Sequence, residues 1–75
     1  MNIIKLTLVK GDPVWISVPR IDMMIEETEL DHNKKYYKVT QIWLGGSDSP
    51  TQVQESADDI ARMIRAQASG VNYQG

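Results

Sequence analysis

Apolar and polar positions alternate along residues 3–9, with Ile4, Leu6 and Leu8 on one face and Lys5 and Thr7 on the other, which predicts a strand. Lys10, Gly11, Asp12 and Pro13 supply turn chemistry, and a second short strand over residues 14–18 completes a hairpin. There Val14, Ile16 and Val18 share a face opposite Trp15 and Ser17, and Pro19 closes the run. Residues 21–27 repeat the period of two, with Ile21, Met23 and Ile25 alternating against Asp22, Met24 and Glu26. A helix is the competing reading, but Pro19 before the segment and the polar residues after it leave too little length for a capped one, so a strand is predicted. The charged stretch 29–35, centred on Asp31, His32 and Asn33, suits a hairpin tip. Residues 36–44 carry Tyr36, Tyr37, Val39, Thr40, Ile42 and Trp43, the enrichment of the longest strand expected. Gly45 to Pro50 read as a loop, and residues 51–54 as a brief fifth strand around Val53.

Ser56 opens the one helix the pattern demands. Its hydroxyl stands three residues before Asp59 in an S-x-x-D capping arrangement, with acids in the positive first turn. Ala57, Ile60, Ala61, Ile64 and Ala68 form the apolar stripe, and Asp58 precedes Arg62 by four residues on the other side. Ser69 and Gly70 are expected to stop the helix, leaving residues 71–75 as a flexible tail beyond a single domain spanning 1–70. The predicted fold class is α+β: a small curled antiparallel sheet, or a partly open barrel, of about five short strands followed by one C-terminal amphipathic helix.

Composition narrows the function classes. The chain has 75 residues, 41% hydrophobic and 24% charged, which is the balance of a folded chain with a modest core. Having no cysteine, it cannot form disulfides or thiolate metal sites, and a reducing, cytoplasmic setting is expected. The N-terminal run lacks the organisation of a signal peptide, and no apolar stretch approaches the length of a membrane span. A net charge of −2 withholds the positive field on which most non-specific nucleic-acid affinity depends.

Candidate chemistry is sparse. His32 is the only histidine and sits in a predicted loop, so a metal site lacks ligands, and the acids Glu26, Glu27, Glu29 and Asp31 lack the spacing and glycine of a calcium loop. Gly45 and Gly46 have no phosphate-binding spacing around them, and the serines have no recognisable base. No enzyme activity, metal or cofactor is expected. What remains is a set of rings and cations: Trp15, Arg20, Tyr36, Tyr37, Lys38 and Trp43, with Lys34 and Lys35 nearby. Such rings either complete a core that has no phenylalanine, anchor a protein partner, or stack single-stranded bases.

The succession Ile4, Lys5, Leu6, Thr7, then Gly11, Pro13, Ile16, then Ile21, Ile25, Glu26, and finally Val53, Glu55, Ser56 and Ile60 resembles the FlbD-type small bacterial proteins found among flagellar genes. The similarity spans roughly residues 3–64, mostly at hydrophobic and turn positions. It implies an accessory or regulatory protein that acts through an interface and has no catalytic residues. The expectation is therefore a small non-catalytic regulatory module, bacterial or phage-borne, that binds a protein partner. Two alternatives stand beside it: a phage-encoded regulator that binds host RNA polymerase or another host machine, by analogy of size and architecture, and a small β-barrel that binds single-stranded nucleic acid. Homo-oligomerisation through an unprotected sheet edge is a further expectation.

Overall fold

The computed structural model describes residues 2–69. Among these it holds β1 (Ile3–Thr7), β2 (Pro13–Ser17), a 3₁₀ turn (Val18–Arg20), β3 (Ile21–Leu30), β4 (Tyr36–Leu44), β5 (Thr51–Val53) and α1 (Ala57–Ser69). The fold is a small α+β fold of antiparallel strands in two sheets, β1-β2 and β3-β4-β5, and it does not close into a barrel. The expected tail, residues 71–75, lies outside the described residues, as does Gly70, the expected helix stop.

A backbone seam joins the two sheets. Leu8 and Val53 form an antiparallel bridge. On either side of it the Val9 N–H donates to the Gln52 carbonyl (3.2 Å) and the Gln54 N–H to the Thr7 carbonyl (2.8 Å). This seam ends β1 at Thr7 and β5 at Val53, shorter than residues 3–9 and 51–54, because the flanking residues serve the connection between sheets. A second clamp lies beside it: the Thr7 N–H and Oγ1 donate to the two carboxylate oxygens of Glu55, each at 2.9 Å, while Thr40 Oγ1 donates to the Glu55 carbonyl at 2.6 Å.

The alternation on β1 and β2 points Ile4, Leu6 and Ile16 inward, where they join Ile42, Val53 and Ile60 in one aliphatic core. Leu8, Val14, Val18, Ile21, Met24, Leu44, Met63 and Ile64 pack around it. Each fully buried aliphatic chain contributes about 1.5–3 kcal/mol by removal from water. Among the described residues no aromatic ring belongs to this buried cluster, so Trp15, Tyr36, Tyr37 and Trp43 do not complete the core.

α1 covers the core with Ile60 and Ile64, as its stripe requires, though Ala68 is exposed and Met63 takes part instead. Ser56 Oγ accepts from the Asp59 N–H at 3.0 Å, the expected cap. The expected Asp58–Arg62 pair is replaced by Asp59–Arg62 at 2.8 Å, one residue closer, since the i,i+3 neighbour is equally reachable on a helix surface. Glu26 Oε2 also accepts from the Ala57 N–H at 2.8 Å, so β3 supplies a second cap to the helix.

β3 departs furthest from expectation. The register against β4 shifts between Ile21, opposite Leu44, and Met23, opposite Trp43, leaving Asp22 as an extra residue. This bulge reverses the phase of everything after it. Ile21 and Met24 face the core, whereas Met23 and Ile25, expected to share a face with Ile21, are 51% and 39% exposed. β2 also ends one residue early, Val18 being drawn into the 3₁₀ turn by Pro19.

β4 runs over the expected residues, but β3 continues to Leu30, so the tip narrows from residues 29–35 to 31–35. There Asp31 Oδ1 accepts from the N–H groups of Asn33 and Lys35, each at 2.9 Å, and Lys34 takes a left-handed φ of 63°. Local side-chain bonds thus stabilise the tip without contact with the core. The hairpin runs past the core, and the molecule is elongated, 47 × 26 × 19 Å.

Candidate functional site

The six residues singled out in the sequence fall in three places. Trp15 lies on β2, 62% exposed, directly opposite Lys5 on β1, whose Nζ stands 5.6 Å from the ring centroid. This is cation–π distance, worth about 0.5–1 kcal/mol at an exposed site. Arg20 closes the base of the long hairpin. Its Nη2 donates to the Gly45 carbonyl at 2.8 Å, and its own carbonyl accepts from the Gly45 N–H at 2.8 Å. Gly46 follows with φ +85°, a left-handed position that glycine takes without steric penalty and that a type II turn demands there. Arg20 thereby fixes the β4–β5 turn.

The remaining four share β4. Tyr36, Tyr37 and Lys38 lie on the projecting arm, where β3 residues Thr28, Glu29 and Leu30 pair with Lys38, Tyr37 and Tyr36. Alternation puts Tyr36 and Lys38 on one face and Tyr37 on the other. Trp43 lies six residues from Tyr37 on the same face, about 20 Å along the strand. It is half-buried opposite Met23, its indole Nε1 enclosed without an acceptor among the described residues. The rings therefore do not assemble into one basic stacking face.

The structure adds residues that sequence reasoning missed. Leu30 is 53% exposed and stands directly opposite Tyr36, itself 76% exposed, so the arm ends in an apolar pair with no core beneath it. Below it on the other face, Met23 and Ile25 form an exposed apolar row that leads to Glu27 and Glu29. The available signal for Leu30 was an apolar residue isolated among acids, which the loop assignment concealed. Glu27 accepts from Gln41 Nε2 at 2.9 Å, bracing the hairpin.

Among the described residues, no group of three or more histidine and acidic side chains is placed to hold a metal ion, and no helix is long and apolar enough to cross a membrane. A shallow hollow lined by Leu8, Val9, Lys10 and Gln52 opens beside the seam between the sheets. No family model, curated protein or solved structure matches the chain.

Proposed function

We propose that this chain is a small non-catalytic regulatory or accessory module, bacterial or phage-borne, that works by binding a protein partner through the projecting β3–β4 arm. The observation that carries this reading is the Leu30–Tyr36 pair: two large apolar side chains, 53% and 76% exposed, set opposite each other at the end of a hairpin that leaves the core behind. An exposed aromatic–aliphatic pair on a braced support has the character of an interface anchor, because its burial by a partner removes apolar surface from water at little conformational expense. Tyr37 and Lys38 supply the polar surround.

The test is photo-crosslinking in bacterial lysate with p-benzoylphenylalanine in place of Tyr36. A discrete protein adduct is expected, one that weakens sharply when Leu30→Ala is added and that does not form from the same group at Asp58 on α1. No adduct, or identical adducts from both positions, overturns the reading. Mass spectrometry of the adduct then reports whether the partner is RNA polymerase or another machine.

The run of Lys34, Lys35 and Lys38 around two tyrosines is the observation that favours single-stranded nucleic acid instead. Against it, the tyrosines face opposite sides and Glu27 and Glu29 lie on the adjacent strand. Salt-sensitive quenching of tryptophan by short oligonucleotides would support that alternative, and absence of quenching would remove it.

A further inference from the structure

We infer that the free edge of β3 is a strand acceptor for a basic, extended peptide segment, a conclusion that rests on the protein-binding reading and names the chemistry of the partner.

Among the described residues β3 has a strand neighbour on one side only, β4. An unpaired edge presents backbone N–H and C=O groups that another extended chain can satisfy. β2 is likewise unpaired on one side, but it is five residues long, begins at Pro13 and runs directly into the 3₁₀ turn. Shortness and proline are the usual protections of an edge. β3 is ten residues long without proline, and beyond the Asp22 bulge its pairing with β4 is regular from Met23 to Leu30. Eight residues of regular edge span about 27 Å.

The side chains along this edge select the occupant by charge. β3 contains Asp22, Glu26, Glu27 and Glu29 and no lysine or arginine. Asp22 lies in the bulge and Glu26 caps α1, so the acids that face an added strand on the row of Trp43 are Glu27 and Glu29. A second copy of the chain pairing there would set its own carboxylates against them, which opposes self-association. A basic strand is favoured by the same charges. The pattern is also directional: the row on the face of Trp43 reads Met23, Ile25, Glu27, Glu29 from base to tip. Antiparallel addition, the mode of every other pair in the sheet, sets cations of the incoming segment near its N-terminal end against Glu29 and Glu27. Apolar side chains near its C-terminal end then meet Ile25 and Met23. The occupant is thus an extended segment of basic-x-basic-x-apolar-x-apolar pattern.

The probe is the synthetic octapeptide Lys-Thr-Lys-Thr-Ile-Thr-Ile-Thr, added up to about 1 mM to the full isotope-labelled chain at low salt and followed by amide chemical shifts and hydrogen exchange. Expected are shifts and slowed exchange confined to the 23–30 backbone and its neighbours. Two further versions carry backbone N-methyl groups on odd or on even residues. One loses binding and the other keeps it, since alternate amides of an added strand point into the sheet. Replacing both lysines by glutamate weakens binding about tenfold, and the double variant Glu27→Lys with Glu29→Lys inverts that preference.

Equal binding of the acidic and basic peptides, identical behaviour of the two methylated versions, or no binding at all overturns the inference. The Tyr36 adduct is read separately. An adduct without peptide binding removes the edge and leaves the arm, whereas peptide binding without an adduct removes the arm as partner site and leaves the edge.

Discussion

The two ends of β4 belong to one strand and obey different physics. Val39, Thr40 and Ile42 are 2%, 1% and 0% exposed, whereas Tyr36, Tyr37 and Lys38 of the same strand are all exposed. At the base, strand geometry is held by burial of Ile42 in the aliphatic core and by bonds such as Thr40 to the Glu55 carbonyl. At the tip it is held by ladder hydrogen bonds and by the Asp31 carboxylate. The lesson is that the arm gains its shape locally while the body gains its shape from contacts distant in sequence, so the two should respond to mutation differently.

The sharpest way to break that comparison is to remove a methyl-rich side chain from the body. Ile60→Ala, at a position 0% exposed in the core, should destabilise by about 3 kcal/mol, a large share of the stability of a domain this small, measured as a fall in the urea midpoint. Next comes the seam. Glu55→Ala leaves the Thr7 N–H and hydroxyl without their acceptor and should cost about 2 kcal/mol in the same measurement. Ser56→Ala removes the helix cap and should cost about 1 kcal/mol, visible as a lower midpoint with unchanged slope. At the other extreme Tyr36→Ala should change stability by less than about 0.5 kcal/mol, because the ring touches no core. A loss above about 1.5 kcal/mol there would show that the arm is structurally coupled to the body.

The sequence exposed most of this architecture wherever side-chain period and burial agree. β4 could be bounded at Tyr36 and Leu44 because its aromatic and β-branched residues sit between polar and glycine-rich flanks. Ser56 marked the helix start because its hydroxyl precedes Asp59 by three residues, and the inward faces of β1 and β2 followed from strict alternation. Period failed at β3, where a bulge at Asp22 inverts the faces while the composition of the segment gives no sign of an inserted residue. Polarity misled at Glu29 and Leu30, since a strand end that contributes nothing to the core looks like a loop. For the candidate site, the sequence marked Trp15 and Tyr36 as partner-binding candidates, but neither their exposure nor their separation onto different sheets could be read from it. Arg20 carried a charge suited to a partner, and only the fold reveals its bond to Gly45. The role of Glu55 depends on Thr7, 48 residues away, a pairing that no local pattern encodes.

The self-contained tip has a consequence for how such a chain can vary. With the Asp31 turn closing on itself and the body indifferent to what lies beyond Val39, the hairpin behaves as an adjustable ruler. Because the pleat repeats every second residue, matched insertions of two residues in each strand would advance the Leu30–Tyr36 pair by about 6.8 Å and keep its orientation, whereas single-residue steps would turn it to the opposite side. Reach is therefore set by the number of residues inserted and facing by the parity of that number.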